Sequence, residues 1–101
     1  MSDKQADQKI AIVTGAGSGV GRATAIMLAE RGYHVALVAR TEEKLQETRS
    51  EIGDAAIVLP ADLTDPEACQ KVVSDTVDQL GGLDVLVNCA GDAPLQPIER
   101  I

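Results

Sequence analysis

The sequence predicts an α/β fold, a doubly wound parallel half-sheet of βαβαβαβ order with its strands arranged 3-2-1-4. Three observations carry this. Four short apolar runs alternate with three helix-length patterns over 101 residues, and such alternation implies parallel pairing through right-handed crossovers. The runs are near-continuous in apolar character, as expected of strands covered on both faces. A glycine-rich string follows the first run directly. In a sheet of this order the ligand crevice lies at the carboxyl ends of the strands, where the order reverses between strands 1 and 4.

Residues 9–13 (KIAIV) form the first strand, and residues 14–21 (TGAGSGVG) the tight loop after it. Residues 20–31 (VGRATAIMLAER) read as a helix packed closely on the sheet, with Val20, Ala23, Thr24 and Met27 on one face and Gly32 as the stop. Residues 34–39 (HVALVA) give the second strand. Thr41 then opens the charged helix TEEKLQETRSEI, in which Leu45, Thr48 and Ile52 share a face. Residues 56–59 (AIVL) are the third strand. Asp65 followed by Pro66 is a helix start, because the aspartate can cap and a proline there loses nothing by lacking its N–H. That helix runs to Leu80 with Cys69, Val72, Val73, Thr76, Val77 and Leu80 as its stripe, and Gly81 and Gly82 end it. Residues 83–87 (LDVLV) are the fourth strand, and a loop follows.

Composition sets the broad class. The chain is 45% hydrophobic and 25% charged, which is globular, and no apolar run approaches the length of a membrane span. Residues 1–8 are a polar tail without a signal-like apolar core, so the cytoplasm is the expected location. Nine basic against sixteen acidic residues leave a net charge of −7, which argues against nucleic acid or an anionic membrane as partner. Cys69 and Cys89 sit in no metal-ligand spacing and read as small buried residues in a reducing compartment, and no metal site is expected. His34, the single histidine, starts the second strand at the edge away from the crevice, where a surface role is expected.

The string Gly15, Ala16, Gly17, Ser18, Gly19, Val20, Gly21 has the chemistry a diphosphate needs. Glycines let the backbone approach without side chains in the way and adopt positive φ, and the helix start supplies free N–H groups at a positive dipole end. The alternative is a glycine loop that serves only as a connector. A Walker-type phosphate loop is excluded, because no glycine is followed five places later by Gly-Lys-Ser or Gly-Lys-Thr.

Thr14, Gly15, Gly19 and Gly21 in a TGxxxGxG pattern, Asp62 after the third strand and Asn88-Cys89-Ala90-Gly91 after the fourth resemble the short-chain dehydrogenase/reductase family, from about residue 9 onward. The resemblance implies a Rossmann-like domain over residues 9–101, truncated before the catalytic half. It implies that Gly15, Ser18, Gly19 and Val20 hold pyrophosphate, and that Asp62 with Leu63 borders adenine. Asn88, Ala90 and Gly91 would border the adenosine ribose and support the sheet. Cys89 stands where the family more often has a second asparagine, which implies a local packing difference. Outside this framework Asp62 would read as a turn-forming residue and Asn88 as a strand-end turn residue.

The end of the second strand bears on cofactor choice. An NAD site of this kind places an acid there for the ribose hydroxyls, whereas NADP needs the acid absent and a cation nearby. Here Val38-Ala39-Arg40-Thr41 carries no carboxylate. Arg40 can stack on adenine and pair with the 2'-phosphate, and Thr41 adds a hydroxyl and a helix start. NADP(H) is therefore the expected cofactor, with NAD(H) as the alternative. Arg40 as a solvated charge is the competing reading. Ser18 withholds the second cation that some NADP-preferring relatives carry at that place.

The family's chemistry is hydride transfer between a nicotinamide and a carbonyl or alcohol carbon, with a Tyr-x-x-x-Lys pair and a serine downstream. Tyr33, the single tyrosine, has Leu37 four places on, so no catalytic residue is assigned and these residues alone are expected to be inactive. The partners implied are a nicotinamide dinucleotide, a small carbonyl or alcohol substrate of the longer protein, and further copies in a homo-oligomer. A noncatalytic nucleotide-binding or oligomerising module stays open. A methyl-donor site of the S-adenosylmethionine type also uses a glycine loop, but it prefers an acid after the second strand and leaves Asn88-Cys89-Ala90-Gly91 unexplained.

Overall fold

The computed structural model describes residues 8–89. Seven elements follow in the order β1 (Lys9–Thr14), α1 (Gly19–Glu30), β2 (Tyr33–Ala39), α2 (Glu42–Ile52), β3 (Ala56–Pro60), α3 (Pro66–Leu80) and β4 (Val85–Asn88). The four strands make one parallel sheet in the order β3-β2-β1-β4, as the alternation of strands and helices predicts. Successive residues on a strand face opposite ways, so each buried strand feeds two core layers. Val13, Val35 and Leu37 pack with Ala25 of α1 and Leu45 of α2 on one face. Ile12, Ala36 and Val38 pack with Leu63, Leu83 and Val72 of α3 on the other.

The helix boundaries follow capping chemistry. Asp65 accepts a hydrogen bond from the Glu67 N–H at 3.0 Å, with Pro66 at the first helical position, and Gly81 ends α3 in the left-handed conformation at φ 94°. Gly32, at φ 95°, turns the chain out of α1. No helix among the described residues is long and apolar enough to cross a membrane.

Three expectations are corrected. The face of α1 against the sheet is made by Gly21 and Ala25, with Leu28 and Ala29 partly buried, while Val20 is 74% and Met27 44% exposed. At Gly21 the helix lies so close to the Gly15 backbone that no side chain fits. The fourth strand begins at Val85, two residues later than the apolar run suggests. There the Asp84 carboxylate accepts the Ile10 N–H at 2.8 Å, while the Asp84 N–H donates to the Ile10 carbonyl at 2.8 Å. A side chain thus replaces a strand carbonyl and fixes the register before the ladder starts. Cys69 and Cys89 are half-buried free thiols, not core residues; the Cys69 thiol donates to the Leu63 carbonyl at 3.3 Å.

Candidate functional site

The register brings all four strand ends to one edge. Leu59, Val38, Thr14 and Asn88 form a single row across the sheet, in that order. Gly15, Arg40 and Asp62 stand just beyond this row, because each strand gives way to its loop there. A cavity lined by Gln8, Ile10, Asp78, Gln79, Leu80 and Gly81 lies at the opposite end of the strands and offers no basic side chain to an anion.

The glycine-rich loop is shaped by the backbone. Gly15 and Gly19 have φ of 65° and 57°, a region that residues with a side chain rarely enter. At Gly21 the restriction is contact: a Cβ there would lie 2.0 Å from the Gly15 carbonyl oxygen. Helix α1 therefore starts against the loop it leaves. Ser18, its N-cap, is extended at φ −162° and makes no side-chain cap, and the first helical N–H to be bonded is that of Arg22, to the Ser18 carbonyl at 3.3 Å. The amides of Gly19, Val20 and Gly21 precede that bond and sit at the positive end of the helix. A Cβ on Gly19 would meet nothing within 4 Å, so this end opens outward. Ala16 and Gly17 are buried, Gly15 is half-buried, and Ser18, Gly19 and Val20 are exposed.

Across the crevice, the Ala61 N–H donates to the Ala39 carbonyl at 2.9 Å, which carries the β2–β3 pairing to the point where Arg40 and Asp62 emerge. Both are exposed. Among the described residues Arg40 forms no ion pair and no hydrogen bond through its guanidinium, whereas Arg22 pairs with Glu51 and Arg49 with Asp54. Thr41 is the extended N-cap of α2, and its hydroxyl makes no cap bond. One Asp62 carboxylate oxygen accepts from the Thr64 hydroxyl at 2.6 Å and from the Thr64 N–H at 3.0 Å. These two bonds, with a smaller contribution from the positive field of Arg40, hold the Asp62 carboxyl below its ordinary value of 3.8. Asp62 is thus both a turn-forming residue and a standing negative charge, and its second oxygen has no hydrogen-bond partner among the described residues. Leu63 turns its side chain into the core under α3, so only its backbone is available at the edge.

Asn88 is half-buried at the end of β4 and ties the sheet together. Its side-chain oxygen accepts from the Thr14 hydroxyl at 2.8 Å, and that hydroxyl accepts the Cys89 N–H at 2.9 Å. Ala90 and Gly91, the remaining expected site residues, lie outside the described residues. Thr14, which sequence reasoning used only as part of the motif, is 1% exposed and latches β1 to β4 directly under the loop. Thr48 and Thr64 were also missed as supports of the site; the one available signal was a hydroxyl within two turns of a helix start.

The family model for short chain dehydrogenases matches residues 9–101. Among curated relatives, the short-chain dehydrogenase/reductase eriH of Hericium erinaceus is 43% identical over 97 residues, which cover 88% of this chain and 38% of that protein. The uncharacterized oxidoreductase MW2403 of Staphylococcus aureus is 43% identical over 84 residues, covering 82% and 36%. Among solved structures, the apo-form of a Caenorhabditis elegans glucose dehydrogenase superposes with a TM-score of 0.77 at 38% identity, covering 84% of this chain and 38% of that one. A Brucella melitensis 3-ketoacyl-(acyl-carrier-protein) reductase complexed with NADH gives 0.75 at 35% identity, covering 77% and 32%. The chain belongs to the short-chain dehydrogenase/reductase family, oxidoreductases with a Rossmann fold that binds a nicotinamide dinucleotide. It spans less than two fifths of the length of these relatives.

Proposed function

We propose that the crevice at the carboxyl edge of the sheet holds NADP(H), and that these residues supply the cofactor-binding part of an NADP(H)-dependent oxidoreductase. The observation that carries the reading is Arg40: an exposed guanidinium that forms no ion pair among the described residues, at the end of β2, where an NAD-preferring site would place a carboxylate. Its planar fork suits a 2'-phosphate, and the unspent Thr41 hydroxyl beside it offers a further donor. The outward-opening amides of the Gly15 to Gly21 loop would hold the diphosphate. Asp62, with a free oxygen that stays charged at all but strongly acid pH, would accept from the adenine amino group. Asn88 would hold the strand end that borders the ribose, with Ala90 and Gly91 beyond it.

A bound nicotinamide supplies a hydride to a carbonyl carbon, or takes one from an alcohol carbon. The chain's own part would be to fix the dinucleotide's phosphates and adenosine at the carboxyl edge of the sheet. These residues contain no Tyr-x-x-x-Lys pair to move the accompanying proton. A small-molecule carbonyl or alcohol substrate, a homo-oligomer and a reducing cytoplasmic setting complete the reading for the longer protein, the last in keeping with two free thiols.

A second reading, NAD(H), is favoured by the NADH bound to the Brucella relative. Titration of the chain with NADPH and with NADH separates the two. NADP(H) preference requires tighter NADPH binding, and Arg40→Asp must reverse the preference by exchanging a phosphate partner for a hydroxyl acceptor. An affinity ratio unchanged by the substitution refutes the role given to Arg40.

A further inference from the structure

We infer that Thr48 is a positioning residue for the glycine-rich loop, its buried hydroxyl holding the Ala16–Gly17 peptide with the amide turned outward to a diphosphate. Thr48 lies in the second turn of α2, is 0% exposed and is 32 residues from its closer acceptor. A helical threonine ordinarily returns its hydroxyl to the carbonyl four residues back. Here that contact, to Lys44, is 3.3 Å, while the Ala16 carbonyl is nearer at 2.9 Å. The Ala16 N–H is engaged as well, donating to the Val38 carbonyl at 3.2 Å. Both polar groups of Ala16 are therefore spent inside the fold.

The consequence follows from peptide geometry. In a trans peptide the C=O and the next N–H point in opposite directions. With the Ala16 oxygen drawn to Thr48, the Gly17 N–H is directed away from α2, and it finds no acceptor among the described residues although Gly17 is buried. Gly17 lies close against α2, where an added Cβ would stand 2.9 Å from the Lys44 Cβ. If this peptide flipped, it would present an oxygen where an anion is to bind and would bury an N–H against α2. Thr48 selects the donor-outward state.

This rests on the proposed dinucleotide site, so the experiment separates the two. The 101-residue chain and its Thr48→Val and Thr48→Ser variants are titrated calorimetrically with NADPH and with 2'-AMP, which lacks the diphosphate. Thr48→Val should weaken NADPH binding about tenfold, the scale of one lost hydrogen bond with a buried group left unsatisfied. Binding of 2'-AMP should stay within about twofold, and Thr48→Ser should restore NADPH affinity, since a general loss of structure would lower both ligands alike. Equal losses for both ligands, no loss in Thr48→Val, or a serine variant as weak as the valine variant overturns the inference while leaving the site. A wild-type chain that binds neither NADPH nor NADH overturns the site and the inference together; one that binds NADH alone overturns the NADP(H) reading, and the Thr48 variants are then compared with NADH. In the wild type, which needs no variant to fold, the Gly17 amide resonance must shift with NADPH and not with 2'-AMP; indifference to NADPH also overturns the inference.

Discussion

Gly21→Ala tests how tightly α1 is built onto the glycine loop. The added Cβ would stand 2.0 Å from the Gly15 carbonyl oxygen, 2.5 Å from its carbon and 3.1 Å from the Thr14 oxygen. Ordinary carbon-to-oxygen contact is well above 3 Å, so the loop and the helix start must separate by about 1 Å. None of the atoms met is a flexible side-chain end. The cost is that of overpacking, about 1–3 kcal/mol, and the displaced segment carries the amides of Gly19 and Val20. Dinucleotide affinity should fall by more than tenfold. Gly19→Ala provides the contrast: its Cβ meets nothing, and its cost is that of a side chain at positive φ, about 1–2 kcal/mol. Urea unfolding followed by circular dichroism gives the stabilities, and NADPH titration gives the affinities. If Gly21→Ala unfolds within about 0.5 kcal/mol of wild type and binds NADPH equally well, the contact at Gly15 is not what shapes the loop.

The Asp62 carboxyl should titrate below 3.8, and Thr64→Val, which removes the larger of the causes, should move its midpoint upward in an NMR carboxyl titration. Because the folded value is the lower one, whatever Asp62 adds to stability is present above 3.8 and is lost as pH falls through the folded value; unchanged stability around neutrality is expected. Among the described residues β4 pairs only with β1, and Val73 and Val77 of α3 are 39% and 42% exposed, so the isolated chain should self-associate through its β4 side. Light scattering with hydrogen exchange checks this; a monomer with a well-protected β4 opposes it. Incubated with NADPH and a carbonyl substrate, the chain should show no turnover, and measurable turnover would contradict the assignment of proton transfer to residues beyond these.

Topology was legible because its signals are coarse: continuous apolar strands, helix-length spacers and a glycine string between the first strand and helix. Caps were legible too, since Asp65-Pro66 and Gly81 act within a few residues of themselves. The buried face of α1 was not, because Gly21 and Ala25 carry little hydrophobic signal, and at Gly21 the room for a side chain is taken by the backbone of Gly15, six residues earlier. Asp84 escaped for a related reason: its carboxylate replaces a strand carbonyl opposite Ile10, 74 residues away in sequence. At the candidate site, the exposed groups Ser18, Gly19 and Asp62 could be named from the motif, and Arg40 and Thr41 from the missing acid after the second strand. The hydrogen-bonding roles of Thr14, Thr48 and Thr64 beneath them could not be read, because a threonine in a strand end, helix or turn looks the same whether or not an acceptor meets it.

The dinucleotide should bind at the carboxyl edge of the sheet. Amide NMR of the uniformly labelled chain, followed during addition of NADPH, tests it residue by residue. The largest shifts should fall on Gly15, Gly17, Gly19, Val20, Arg40, Thr41 and Asp62, with Gln8, Asp78 and Gly81 at the opposite end unmoved. Shifts centred on that opposite end, or saturable binding that leaves Gly19 and Arg40 in place, would contradict it.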